Sequence, residues 1–515
     1  MLNNDVCFLR KECLNMNYHS TRNKEISCTA GQAIIKGLSP DGGLFVPDFI
    51  PEFSLDEISK MAQMTYKERA YAVLSKYLTD FSEDDLKNCI ASAYTKQKFG
   101  TDSIAPSYRL RKGEYILELW HGPTCAFKDM ALQILPHLLV TSIKKEGVNK
   151  EVVILVATSG DTGKAALEGF ADVDGTRISV FYPNDGVSKT QKLQMVTQSG
   201  NNVNVAAVNG NFDDAQSGVK AIFTDKDFEN LANTHNFMLS SANSINWGRL
   251  APQIVYYFSS YADLIKGQEI NCGEKINIVV PTGNFGNILA AYYAKKMGLP
   301  VNKLICASNS NNVLTDFIET GIYDRNRKFN LTISPSMDIL ISSNLERFLY
   351  DVSGNNNQEI ADYMKKLAED GKYEVSDKIK QKLAEIFSAG FASDDETKQT
   401  IKAVFDKYGY TMDTHTAVAY AVYKKYVSKT NDETKTIIAS TASPFKFSSS
   451  VMQALTGDNS YGKNMDEFDI LEALSEKSEE KVPKALQELK TKPVIFDVTC
   501  QKDELMQVIK DFLRL

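Results

Sequence analysis

Histidine is scarce in this 515-residue chain: His19, His121, His137, His235 and His415 are all it has. No two fall at the spacing with which a helix presents two ligands to one metal, so neither a histidine-built metal centre nor a Ser-His-Asp triad is expected. The eight cysteines are scattered, without a CxxC pair or zinc-like spacing, and are too few for a disulfide scaffold. A reducing compartment, the cytoplasm, is the expectation. No apolar run approaches the ~20 residues that cross a bilayer, and the start of the chain lacks the long apolar stretch of a secretory signal. No membrane partner is therefore expected. Positive charge is short as well, with 58 Lys and Arg against 65 Asp and Glu. That argues against a nucleic-acid surface, which needs clustered basic residues. Anionic small molecules stay open, because a local pocket can be positive on an acidic protein. With metals and triads set aside, an organic cofactor is the natural source of difficult chemistry.

What is present is an ordinary globular composition, 43% hydrophobic and 24% charged, long enough for two to four domains at roughly 100–200 residues each. Residues 1–15 look irregular, and Met16 reads better as a start. GLSPDGGLFVP (37–47) marks a turn into a short extended run. Residues 54–99 repeat apolar groups three and four apart, so 1–105 is read as a mostly helical N-terminal domain. The pattern then changes. YILELW (115–120), VVILVAT (152–158), ISVFYP (178–183), NVNVAAV (202–208), INIVVPTG (276–283) and TIIAST (436–441) are continuous runs separated by helix-length segments. Such runs mark parallel strands buried on both faces, and the fold class is α/β. Residues 106–457 form the expected catalytic α/β region, with a charged helical insertion at about 315–410. Residues 458–515 read as a helical tail in which EKSEEKVPKALQELK is solvated.

Five constellations stand at strand ends. In HGPTCAFKDMALQ (121–133), Lys128 lies at a helix start among apolar neighbours. Burial there would lower its pKa and make its amine nucleophilic, as Schiff-base formation with an aldehyde cofactor requires; a lysine snorkelling from a helix start has the same local sequence. PTGNFGN (281–287) joins a strand to a helix, and Gly283 and Gly286 allow a phosphate cradle of backbone N–H groups, or only a plain β–α turn. TSGDTG (158–163) offers Ser159 and Thr162 hydroxyls and loop amides to a substrate carboxylate, with Asp161 equally readable as a helix cap. SANSINWGR (241–249) gathers Asn243, Ser244 and Arg249, the last able to bind phosphate bidentately or to sit in a surface salt bridge. STASPFKF (440–447) places Thr441 where it could meet a ring nitrogen, and Lys446 reads as solvated. Two glycine loops imply two anion sites, and the shielded lysine supplies the partner for an aldehyde.

These motifs, with GLSPDGGLFVP, GVSKTQKLQM, SPSMDILISSNLERFLY (334–350) and DTHTAVA (413–419), resemble the threonine synthase family in order from about residue 18 to 450. Cys125, before AFKD, and Asn23, after STR, depart from the family pattern. The resemblance implies a tryptophan-synthase-β-like fold of two open, mostly parallel-sheet domains with a helical N-terminal domain. It implies pyridoxal 5′-phosphate on Lys128, its phosphate held by Gly283, Asn284, Phe285, Gly286 and Asn287, and its ring nitrogen met by Thr441. It also implies that Asn243, Ser244 and Arg249 grip the phosphate of O-phospho-L-homoserine, and that Ser159, Asp161 and Thr162 close on its carboxylate. The assembly expected is a monomer or homodimer. A lyase of the same class that stops at the 2-oxo acid is the nearest alternative, and a non-catalytic cofactor-binding protein the more distant one.

Overall fold

The computed structural model describes residues 15–158, 160–184, 187–210 and 212–515. The expectations placed on residues 1–14 and on Ser159 lie outside the described residues. Each of the six apolar runs forms a strand, and they divide between two open sheets. The larger sheet has the order Phe387–Phe391, Val301–Ser308, Ile276–Pro281, Thr436–Ser440, Glu114–Glu118, Ser107–Arg111. All neighbours are parallel except the final pair. The smaller sheet, Thr499–Gln501, Val203–Asn209, Thr176–Pro183, Glu151–Ala157, Phe237–Ser240, is parallel throughout.

Both sheets are covered on two faces, which is why their strands read as unbroken hydrophobic runs. Along Glu151–Ala157, Val152, Ile154 and Val156 join the main core, while Val153, Leu155 and Ala157 join a separate core. That second core includes Ile222 and Ile509, from the helices Phe212–Thr224 and Leu505–Leu513. The main core is continuous with the N-terminal region. Trp247, fully buried at the start of the long helix Trp247–Lys266, lies 5.2 Å from the Tyr18 ring and 5.3 Å from Tyr77, centroid to centroid. Removing an aromatic of this kind from a packed core costs about 3–5 kcal/mol.

Three sequence expectations change. The N-terminal region has its helices but also an antiparallel three-stranded sheet, Ser27–Thr29, Asn17–Ser20, Phe45–Pro47. The segment 315–410 is largely helical, yet Phe387–Phe391 (FSAGF) supplies the edge strand of the larger sheet. EKSEEKVPKALQELK is not one solvated helix: the helix Glu467–Ser478 ends at the left-handed Glu479, and beyond Pro483 the side chains of Leu486 and Leu489 are buried. Among the described residues no helix is long and apolar enough to cross a membrane.

Candidate active site

Three of the five motifs leave the C-terminal ends of adjacent parallel strands of the larger sheet, Glu114–Glu118, Thr436–Ser440 and Ile276–Pro281. A fourth leaves Glu151–Ala157 in the smaller sheet. Loops at strand C-termini are where open parallel sheets bind ligands. The turn carrying Lys128 is stitched to the Thr441 turn by backbone bonds: Phe127 N–H donates to Thr441 O at 2.8 Å, and Ser443 N–H to Cys125 O at 3.1 Å. Asp129 folds back to accept from Thr124 N–H (2.8 Å) and Oγ1 (2.7 Å). Gly122 makes room for this, since a Cβ there would sit 2.5 Å from the Asp129 carboxylate. Burial raises the Asp129 pKa to about 6 despite those two bonds.

The Lys128 side chain is 11% exposed, and its Nζ lies 3.7 Å from Asp161 Oδ2. Burial lowers its pKa to about 8; Asp161 pulls the other way, while the positive charges of Lys446 and Arg249 add to the fall. The sequence expectation of a softened amine therefore meets its structural cause. Asp161 is a hub rather than a helix cap. Its Oδ1 accepts from Lys446 Nζ at 2.7 Å and Gln191 Nε2 at 3.0 Å, and its Oδ2 from Ser336 Oγ at 3.1 Å. Burial alone would raise its pKa, but Lys446 and Lys128 outweigh that and hold the carboxyl well below its usual range. Gly160, at φ 137°, lets Gln191 reach it: a Cβ on Gly160 would meet the Gln191 side chain at 2.5 Å. Thr158 Oγ1 shapes the loop by accepting from Gly160 N–H (3.0 Å) and Gly163 N–H (2.9 Å), with Thr162 half-buried beside it.

Lys446 corrects the sequence reading. It is not solvated but fully buried, and it also donates to Thr124 O at 3.0 Å. A lysine between Phe445 and Phe447 gives no local sign of this, because its partner lies in another motif. Ser336, Gln191 and Asn344 were likewise unassigned, although SPSMDI and GVSKTQ had been noted as motifs.

In PTGNFGN, Phe285 adopts the left-handed conformation (φ 61°), which costs a non-glycine residue roughly 1–2 kcal/mol. Its ring is held 5.7 Å from Phe387 and 6.0 Å from Phe348. The turn leads into the N-terminus of the helix Gly286–Lys296. Asn287 Oδ1 accepts from the Tyr256 and Tyr257 hydroxyls, 2.6 Å each, so its buried Nδ2 is a fixed donor with no partner among the described residues. Gly283 is half-buried and Asn284 exposed. Asn344 joins this loop to the next, donating from N–H to Asn284 O (3.2 Å) and from Nδ2 to Ser244 O (3.1 Å). Asn243 and Ser244 are half-buried. Arg249 is buried and has no acidic partner among the described residues: Nη1 donates to Ala242 O at 2.9 Å, Nε has no partner among them, and burial lowers its pKa to about 10. The surface salt-bridge reading of Arg249 is thus excluded. Thr441 is 6% exposed at the end of the central strand.

This donor set fits a phosphate-bearing aldehyde. It combines a soft, shielded amine, whose charge Arg249 disfavours, a helix N-terminus with an amide donor left over, and Thr441 bonded through its carbonyl to the Lys128 turn. A family model described as "Pyridoxal-phosphate dependent enzyme" matches residues 104–376, and the chain is an α/β enzyme of that class, with pyridoxal 5′-phosphate as its cofactor. Models described as "Threonine synthase N terminus" and "Threonine synthase, C-terminal" match residues 17–94 and 416–512. The threonine synthase of Saccharomyces cerevisiae is 37% identical over 479 residues, covering 87% of this chain and 91% of that one. A crystal structure of PLP-bound threonine synthase from Brucella melitensis superposes with a TM-score of 0.84 at 34% identity, over 97% of this chain and 99% of that chain. The chain belongs to the threonine synthase family. It is also 43% identical over 434 residues to human Threonine synthase-like 1; that match takes in 82% of this chain but spans only 58% of the relative's length.

Proposed function

We propose that this protein converts O-phospho-L-homoserine and water into L-threonine and phosphate. The observation that carries the reading is Arg249: a buried guanidinium with no carboxylate partner among the described residues, in the same site as Lys128 and Lys446, calls for an anionic ligand beyond the cofactor. When bound, pyridoxal 5′-phosphate supplies an electron sink that makes the protons on the substrate carbons removable. Lys128 would hold it, and the Lys128 Nζ would accept and return protons at the substrate carbons. With a pKa of about 8 that nitrogen can both accept and return a proton near neutrality.

Gly283, Asn284, Phe285, Gly286 and Asn287 surround the cofactor phosphate with backbone N–H groups and the Asn287 amide. Thr441 offers its hydroxyl to the ring nitrogen, which a hydroxyl leaves less protonated than a carboxylate would. Arg249 takes the substrate phosphate with Asn243 and Ser244. The substrate carboxylate goes to the amides and hydroxyls of the 158–163 loop, with Ser159 and Thr162 as the side chains. Asp161, ionised and bonded to lysine, serves as counter-ion there, since it would repel a second carboxylate. Six unpaired cysteines among the described residues support a reducing, cytoplasmic setting.

The test is an assay of purified protein with pyridoxal 5′-phosphate and O-phospho-L-homoserine, following phosphate and threonine together. Equal release of both is the expected result. Phosphate with a 2-oxo acid in place of threonine would make the protein a phospho-lyase, and release of neither would overturn catalysis on this substrate.

A further inference from the structure

Lys446 is a charged group of the site to which neither the motifs nor the reading above assigns a part. Its ammonium is fully buried, and both of its partners belong to the machinery. Thr124 O lies in the turn that carries Lys128, and Asp161 faces the Lys128 nitrogen. The 3₁₀ turn Pro444–Phe447 that bears Lys446 is anchored to the Lys128 turn through Ser443 N–H and Cys125 O. The lysine therefore spans from the larger sheet's turn to the smaller sheet's loop and ends on the same carboxylate that Lys128 approaches.

Resting on the reading in which Lys128 carries pyridoxal 5′-phosphate, we infer that Lys446 is a positioning residue: it neutralises Asp161 and fixes that carboxylate beside Lys128, which keeps the Lys128 nitrogen from being held protonated. A carboxylate 3.7 Å from a buried amine stabilises the ammonium form, and an amine that keeps its proton is neither nucleophile nor base. Lys446 opposes this twice. It takes Asp161 Oδ1 as its own contact at 2.7 Å, and its charge repels a proton on Lys128. The other groups facing the pair are Arg249, which also disfavours a proton on Lys128, Asp129, and the Cys125 thiol, pushed up by burial to about 12. These stay in place when Lys446 is changed. Gln191 and Ser336 hold Asp161 without charge and cannot replace the lysine.

The test uses holoenzyme and reads the pH at which the cofactor's visible absorbance titrates, together with the pH profile of kcat. Lys446→Met is expected to move the midpoint upward by about one unit, which is about a tenfold loss of unprotonated nitrogen below it. The kcat at pH 7 falls with it, while KM for O-phospho-L-homoserine changes little. The double variant Asp161→Asn/Lys446→Met removes both charges of the pair together and is expected to titrate close to wild type. Asp161→Asn alone is expected to shift the midpoint downward, and it carries the test should Lys446→Met fail to fold. An unshifted midpoint in Lys446→Met, a double variant that titrates like Lys446→Met, or an unshifted Asp161→Asn overturns the inference alone. A wild-type protein lacking an absorbance band that depends on Lys128 overturns the cofactor reading, and the inference with it.

Discussion

The two sheets contribute to the site in different ways. On the larger sheet, the turns bearing Lys128 and Thr441 are joined backbone to backbone, and Asn344 ties the PTGNFGN loop to the Ser244 loop that follows the smaller-sheet strand Phe237–Ser240. On the smaller sheet, the described part of the 158–163 loop reaches the other side through one carboxylate, Asp161, bonded to Lys446 and Ser336 and facing Lys128. Backbone bonds between fixed strands leave nothing for a ligand to displace. Breaking a buried ion pair is costly, so the Asp161–Lys446 contact is a fixed joint made by side chains, while Ser336 adds a neutral donor to it. On the reading proposed above, the backbone-stitched side holds the permanent cofactor and the side-chain contacts meet the transient substrate.

Four substitutions or titrations break or sharpen this contrast. Lys128→Ala should abolish turnover, by about 10³-fold or more, and remove the covalent cofactor absorbance; absorbance retained with activity would displace Lys128 from the centre. Arg249→Ala should lower kcat/KM for O-phospho-L-homoserine by about 10–100-fold, the worth of hydrogen bonds to a charged group, while cofactor affinity measured by fluorescence stays near wild type. An equal loss of cofactor would mean that Arg249 serves the permanent side. Ser336→Ala removes one neutral donor from Asp161 and should cost about 1 kcal/mol, roughly fivefold in kcat/KM.

The smallest effect is one of pH. In cofactor-free protein, the rate of reaction with pyridoxal 5′-phosphate should rise with pH up to about 8 and then level, because only the unprotonated Lys128 amine attacks. The linked stability has the same sign. The folded pKa is below the unfolded one, so the unfolded chain binds more protons between about 8 and 10.5. The Lys128 contribution to stability therefore improves as pH rises through that window. Lys128→Met should flatten this part of a stability-against-pH curve measured by denaturant unfolding.

Legibility in the sequence followed the range of the interactions. The central strands announced themselves because both faces are buried and the residues are β-branched. The phosphate-cradle turn and Lys128 were visible because the chemistry of each is contained within a few consecutive residues. FSAGF was missed as a strand because Ser388, Ala389 and Gly390 carry little apolar bulk and its flanks are helical. TCQ, a strand of three residues, was missed because its pairing with Val203–Asn209 is decided by a distant partner. Lys446 was misread for the same reason. Nothing local distinguishes a solvated lysine from one whose counter-ion lies in a different domain, and only the folded chain brings Asp161 to it.

The edge strand Thr499–Gln501 has a consequence for how the molecule is made. It closes the smaller sheet against Val203–Asn209, and the helix Leu505–Leu513 covers the adjoining core, yet both lie far downstream of the strands they complete. The larger sheet is threaded the same way, with Thr436–Ser440 inserted between Glu114–Glu118 and Ile276–Pro281. On the ribosome, neither sheet can be finished by the residues already exported; each waits with an open edge for sequence not yet translated. Ribosome stalling or premature termination ahead of residue 499 would release a chain whose smaller sheet is sticky rather than merely shortened.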